Sequence, residues 1–269
     1  MPDVSGKFVK PHQIIKLMKF IMTMLILVTL CYSAKSQTVK KLDTIVNTSP
    51  EPFSQICYQE IFRVRKGRKD RSFQSTGFLI APNVILTAAH NLYSTKWTKV
   101  TNITIYPGRY KETYSYDSIE LSGEVICQNS IRVHPNFTWN RPDYDFALII
   151  IPDSILKRTK NWPTKSCFAL DTAFILKQGD TISVAGFPAS HGYDGSLMTY
   201  EVQKCANVAT KSFSHDFDTQ TGNSGSPIWV ERDGERKIVG VHTYAVTGTK
   251  IDNEYIQMIL GWINAKTFR

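Results

Sequence analysis

Ser224 stands in Thr221-Gly222-Asn223-Ser224-Gly225-Ser226-Pro227, where two glycines and a proline around small polar residues mark a tight turn with exposed backbone. A serine hydroxyl is a poor nucleophile until an imidazole takes its proton and a third group orients that imidazole. The chain offers candidates for both roles. His90 ends Val84-Ile85-Leu86-Thr87-Ala88-Ala89-His90, an apolar strand followed by small residues that leave an imidazole room. Asp145 lies in Asp143-Tyr144-Asp145-Phe146-Ala147-Leu148-Ile149-Ile150, at the start of a strongly apolar strand. A carboxylate buried there is costly unless paired, and an imidazole N–H is a suitable partner. Each residue has a plainer reading alone, as a turn serine, a strand-end histidine or a capping acid. Their joint occurrence points to nucleophilic catalysis.

Such side chains need a scaffold, and from Tyr58 onward the sequence reads as short apolar or alternating runs broken by turn residues. The runs are Gln74 to Ile80, Val100 to Tyr106, Phe146 to Ile151, Thr181 to Gly186, Ile228 to Glu231 and Lys237 to Tyr244. Strands at that spacing predict an all-β barrel or sandwich. Only the end reads as helix, with Tyr255, Ile256, Ile259, Leu260 and Ile263 at i, i+3 and i+4 spacing. The polar stretch Lys157 to Ser166, with Asn161-Trp162-Pro163, is the candidate linker between two halves.

Length and composition fit one large globular domain or two small ones: 269 residues, 42% hydrophobic and 12% aromatic. The first residues differ. Lys16 and Lys19 precede the apolar run Phe20 to Cys31, and Ala34-Lys35-Ser36 offers small residues for a signal peptidase, so residues 1–36 are expected to be a secretory signal. A membrane anchor would need about 20 apolar residues, more than this run has. Cys57, Cys127, Cys167 and Cys205 then remain, an even set compatible with two disulfides in three connectivities. Asn47, Asn102 and Asn136 head glycosylation sequons. Removing residues 1–36 takes five Lys and one Asp from the net charge of +9, leaving +5, ordinary for a secreted domain. The basic run Arg63-Val64-Arg65-Lys66-Gly67-Arg68-Lys69 reads as a solvated hairpin tip, and nucleic acid is not expected as a partner. No His/Cys/Asp cluster has ligand spacing, so no metal or other cofactor is implied.

Together the motifs resemble the chymotrypsin-like serine proteases. The resemblance covers nearly the whole chain after residue 55: Thr76-Gly77-Phe78-Leu79-Ile80, Leu86 to His90, Val133-His134-Pro135-Asn136-Phe137, Asp145 to Leu148, and Gly222 to Pro227. The order His, Asp, Ser is that family's order. The resemblance implies two antiparallel six-stranded β-barrels with a C-terminal α-helix: a signal at 1–36, an extension or short propeptide at 37–54, a first barrel at 55–160 and a second at 161–269. It assigns Ser224 as nucleophile, His90 as general base and then acid, and Asp145 as the orienting carboxylate. The N–H groups of Gly222 and Ser224 would form the oxyanion hole. Protein or peptide substrates, a monomer and an extracellular location are what it implies. A non-catalytic binding protein on the same fold is the competing class.

Within the family, Asn223 stands where trypsin-type members carry the Asp that pairs with a freed N-terminus, so that activation switch is not expected. The form Gly222-Asn223-Ser224-Gly225-Ser226-Pro227 with Gly240-Val241-His242-Thr243 resembles the glutamyl endopeptidase branch, in which Thr219 and His242 would bind a substrate carboxylate at P1. Asp218, at the position of the acid that selects Lys or Arg in trypsin-like enzymes, is readable in the opposite sense. The resemblance further implies that the Thr243 hydroxyl bonds Asp145 and that Cys57 and Cys167 form a bridge; Lys40-Lys41 is a dibasic site upstream of the first strand, and cleavage there would leave Leu42 as the new N-terminus. His191 is expected on a surface loop and His134 in a structural one, and no role falls to His215.

Overall fold

The protein is described here by a computed structural model covering residues 42–65, 68–93, 99–139, 141–164 and 167–265. The expected signal and the Lys40-Lys41 site lie outside the described residues. In chain order the strands are β1 (Asp43–Ile45), β2 (Ile56–Arg65), β3 (Arg68–Ala81), β4 (Val84–Thr87), β5 (Lys99–Pro107), β6 (Ile119–Ser122), β7 (Ile131–Val133) and β8 (Ala147–Ile150). There follow β9 (Thr181–Gly186), β10 (Met198–Lys204), β11 (Asn207–Val208), β12 (Ser212–Ser214), β13 (Pro227–Arg232), β14 (Glu235–Tyr244) and β15 (Thr247–Lys250). The helices are α1 (Ala89–Leu92), α2 (Glu124–Ser130), α3 (Asp153–Leu156) and α4 (Asn253–Asn264).

The strands form two curled antiparallel sheets, one ordered β6-β5-β2-β3-β4-β8-β7 and the other β1-β10-β9-β13-β14-β15-β12-β11. Seven and eight strands therefore replace the expected six and six. The two extra strands of the second sheet are short: β1 brings Asp43 to Ile45 from the N-terminal extension onto β10, and β11 adds two residues beside β12.

Burial explains the apolar runs. On β4, Ile85 points into the core of the first sheet, whereas Val84 and Leu86 point into a second core shared by both halves; on β8, Ala147 and Ile149 face the first and Leu148 and Ile150 the second. A strand covered on both faces has no polar side to show, so it reads as a continuous hydrophobic run. The shared core also takes Phe187, Met198, Trp229 and Val241 from the other sheet, with Tyr255, Ile256 and Ile259 of α4. The second sheet closes on a third core around Ile182, Phe213, Phe217 and Val239. Helix α4 starts at Asp252, whose carboxylate accepts the Tyr255 N–H at 3.2 Å. Its apolar face is narrower than expected, because Leu260 is exposed. The expected linker packs down: Trp162 is buried and donates from Nε1 to the Pro82 carbonyl at 2.8 Å.

Two expectations are corrected here. No bridge joins Cys57 to Cys167; the four described cysteines are free thiols, with Cys57 and Cys127 in the first core and Cys205 in the third. Buried in apolar surroundings, Cys57, Cys127 and Cys205 act as small hydrophobes, and burial pushes the Cys57 and Cys127 thiols well up from their ordinary range. The basic run is not wholly solvated either, since Arg63 is buried at 3% exposure.

Candidate active site

Strand β4 ends at Thr87, and the fully buried Ala88 and Ala89 let the single turn of α1 sit against the barrel with His90 facing out of it. Asp145 follows the turn Pro142–Tyr144 and is fully buried. Both carboxylate oxygens engage one residue: Oδ2 lies 2.6 Å from His90 Nδ1, and Oδ1 accepts the His90 backbone N–H at 2.9 Å. The carboxylate thus holds the proton on Nδ1 and leaves the Nε2 lone pair for another group. The His90 ring lies between Tyr244 at 5.7 Å and Trp139 at 5.8 Å between centroids, and the Tyr244 hydroxyl donates to the Trp139 carbonyl at 3.0 Å. Burial, with Asp145 nearby, pushes the Tyr244 hydroxyl up to about 12.

Ser224 sits in the turn before β13, held from the opposite half. Its carbonyl accepts the Thr76 N–H at 3.0 Å and Asn91 Nδ2 at 2.9 Å. Thr76 reaches further: Oγ1 donates to the Gly222 carbonyl at 2.8 Å and accepts the Phe187 N–H at 3.0 Å. The Ser224 hydroxyl donates to the Thr243 carbonyl at 3.5 Å and, among the described residues, makes no hydrogen bond to the His90 ring.

Both glycines of the turn are required by geometry. Gly222 has φ +98°, and a Cβ there would lie 2.3 Å from the Phe187 carbonyl oxygen; Gly225 has φ +92°, and its Cβ would meet the Thr76 carbonyl at 2.0 Å. The turn also aims two amides. The Thr221 carbonyl accepts the Ala189 N–H at 2.6 Å and the Asn223 carbonyl accepts the Ser226 N–H at 2.9 Å. In a trans peptide the N–H points opposite to the C=O, so the amides of Gly222 and Ser224 are directed away from those contacts. Among the described residues neither has an acceptor.

Around the expected P1 pocket the picture is mixed. His242 is buried, with Nδ1 3.2 Å from Nε2 of the fully buried His215. Because the Phe217 N–H donates to His215 Nδ1 at 3.4 Å, His215 carries its proton on Nε2 and donates to His242, whose own proton then sits on Nε2. Burial holds His215 down at about 4; burial, then His215 and His90, hold His242 well below the usual histidine range. Both rings are neutral at pH 7. Thr219 donates to the Ala245 carbonyl at 3.0 Å and shares a cavity of about 10 Å³ with Asp218, Glu201, Asn223 and Leu42. His242 does not line that cavity. The Asp218 N–H donates to Glu201 at 2.8 Å, and its carboxylate accepts Gln220 Nε2 at 3.2 Å.

The Thr243 expectation is corrected. A bulge in the β14–β15 pairing between His242 and Tyr244 turns the Thr243 hydroxyl to the Thr247 carbonyl at 3.2 Å, not to Asp145. The Asp145 segment is instead fixed through its backbone. Thr249 Oγ1 donates to the Pro142 carbonyl at 2.6 Å and lies 3.4 Å from that of Asp145, and the Tyr255 hydroxyl donates to the Asp143 carbonyl at 2.9 Å. Sequence reasoning missed Thr76, Asn91 and Thr249; Thr76 was visible only as part of a motif.

The fold is that of the chymotrypsin-like serine proteases. The chain belongs to the trypsin family, whose model matches residues 45–263. It is 24% identical over 203 residues to a glutamyl endopeptidase of Bacillus licheniformis, covering 71% of this chain and 60% of that one. It is 26% identical over 202 residues to a Bacillus subtilis protein named extracellular metalloprotease, covering 72% and 59%. The chain thus spans about three fifths of the length of these curated relatives. A solved structure of a Glu endopeptidase in complex with MPD superposes with a TM-score of 0.62 at 25% identity, covering 83% of this chain and 96% of that one. Among the described residues no group of three or more His, Cys, Asp or Glu could hold a metal ion.

Proposed function

We propose that the protein is a secreted serine endopeptidase that hydrolyses peptide bonds through an acyl-enzyme, with Ser224, His90 and Asp145 as its triad. The observation that carries the reading is the His90–Asp145 pair, in which a fully buried carboxylate fixes both backbone and ring of one histidine. A rotation of Ser224 about χ1, a move between staggered wells, would free its hydroxyl from the Thr243 carbonyl for a bond to Nε2. Nε2 takes the proton as Oγ attacks the substrate carbonyl, and Asp145 stabilises the imidazolium. The amides of Gly222 and Ser224 receive the developing oxyanion. His90 then gives its proton to the leaving amine, and water repeats the sequence on the ester. Export is supported by the secretory leader expected from the sequence at residues 1–36 and by a relative named extracellular.

At P1 we favour Glu or Asp. The His215–His242 relay leaves His242 Nε2–H as a neutral donor, and relatives named glutamyl endopeptidase share the scaffold. One observation favours the alternative: Asp218 and Glu201 line the same small cavity as Thr219, and two carboxylates there suit Lys or Arg. The mature N-terminus enters this question, because Leu42 lines that cavity and its backbone N–H donates to the Tyr193 hydroxyl at 3.0 Å. Cleavage after Lys41 would place a free amine at that point.

Peptides differing only in P1, Glu against Arg, decide specificity, with Ser224→Ala as control. Faster cleavage after Glu, lost by orders of magnitude in the alanine variant, is expected. Faster cleavage after Arg overturns the P1 choice; near-wild-type turnover by Ser224→Ala sinks the triad.

A further inference from the structure

Arg63 is a cation with almost no water around it. It belongs to the basic run of the β2–β3 hairpin, yet its exposure is 3%. Among the described residues it has no ion pair with a carboxylate, and its Nε is buried without a hydrogen-bond partner. Its guanidinium carbon lies 4.8 Å from the centre of the Phe73 ring, and Nη2 donates to the carbonyl oxygen of His90 at 2.8 Å. Burial lowers Arg63 to about 10, which leaves it charged at neutral pH.

Burying a guanidinium is unfavourable unless strong contacts offset the lost hydration. Phe73 supplies one through its ring face. The other is on the backbone of the candidate general base. Helix α1 is one turn long: the Tyr93 N–H donates to the Ala89 carbonyl, whereas among the described residues the His90 carbonyl accepts from Arg63 alone, and a cationic donor at the C-terminal end of a helix suits it. The outcome is a clamp: the Asp145 carboxylate holds the His90 N–H and ring, and the Arg63 guanidinium holds the His90 carbonyl.

We propose that Arg63 is a positioning residue for His90, its guanidinium fixing the backbone from the side opposite Asp145 so that Nε2 stays in reach of the Ser224 hydroxyl. The proposal rests on the triad reading. Arg63 touches no reacting atom and acts through His90. Displacement of a reacting group by about 1 Å costs about a hundredfold in rate, which sets the scale of the effect.

The experiment compares wild type, Arg63→Lys, Arg63→Met and Arg63→Ala by kcat and KM on one peptide substrate, with thermal melting to confirm that each variant is folded. Arg63→Met is expected to lose between tenfold and a hundredfold in kcat, on the scale just given, with KM within about twofold. Arg63→Lys, which keeps the charge as a single point donor, should fall between it and wild type. Guanidinium ion at millimolar concentration should restore part of the kcat of Arg63→Ala, and urea, which has the same shape without charge, should not. A structural role alone would move melting temperature without that charge-specific rescue. Folded Lys and Met variants with kcat within twofold of wild type overturn the proposal, as does equal rescue by urea and guanidinium. Wild-type protein that neither turns over substrate nor reacts with a fluorophosphonate instead refutes the triad reading.

Discussion

Thr76→Val tests whether the turn around Ser224 is held by one side chain from the other half of the molecule. Valine keeps the shape and the backbone N–H that donates to the Ser224 carbonyl, but removes Oγ1. Two buried groups then lose their partner, the Gly222 carbonyl at 2.8 Å and the Phe187 N–H at 3.0 Å. An unsatisfied buried polar group costs about 1 to 3 kcal/mol, so the pair should cost about 2 to 6 kcal/mol of folding stability. The loss falls beside the Gly222 amide, and removing one oxyanion donor outright costs about a hundredfold to a thousandfold in kcat. A loosened donor should cost less, on the order of tenfold. Urea denaturation and steady-state kinetics on one peptide read both quantities, with Thr76→Ser, which retains the hydroxyl, as control. If Thr76→Val unfolds within about 0.5 kcal/mol of wild type and turns over within twofold, the hub assigned to Thr76 is wrong.

Acid should weaken the fold through His215: its folded value of about 4 lies below the unfolded value near 6.5, so the stability present above pH 6.5 is lost as pH falls toward 4, by about 3 kcal/mol. His242 acts in the same direction, and urea midpoints measured across that window should flatten in His215→Gln; an unchanged slope would remove His215 as the cause. N-terminal sequencing of the active secreted protein should find Leu42 first, and full activity of a form beginning at Gln37 would refute a requirement for that cut.

Much of the scaffold was legible because its strands are buried on one or both faces, which imposes either alternation or continuous apolar runs. Val84 to Leu86 and Ala147 to Ile150 are the second kind, and they carry His90 and Asp145 at their ends. The positions of the turn were legible because only glycine tolerates the crowding at Gly222 and Gly225. What the sequence hid depends on which atom faces which. Thr243 lies on the expected strand, but a one-residue bulge redirects its hydroxyl, and no residue type announces that bulge. Leu260 has the right helical spacing, yet the core curves away before reaching it. Arg63 looked like one more surface charge in a basic run. Its burial depends on Phe73 and on the end of α1, which lie ten and more residues away.

The core shared by the two sheets limits how the molecule can move. Val84, Leu86 and Phe146 from one half interlock with Phe187, Trp229 and Val241 from the other, and α4 seals the join. Hinged separation of the halves would bring this apolar surface into water, so the pair of sheets has no inexpensive open form. Under the proposed function, adaptation to different substrates is thereby left to segments outside this core. Tyr193 and Ala245 lie outside it, while Phe146, the chain neighbour of Asp145, and Leu86, four residues before His90, belong to it.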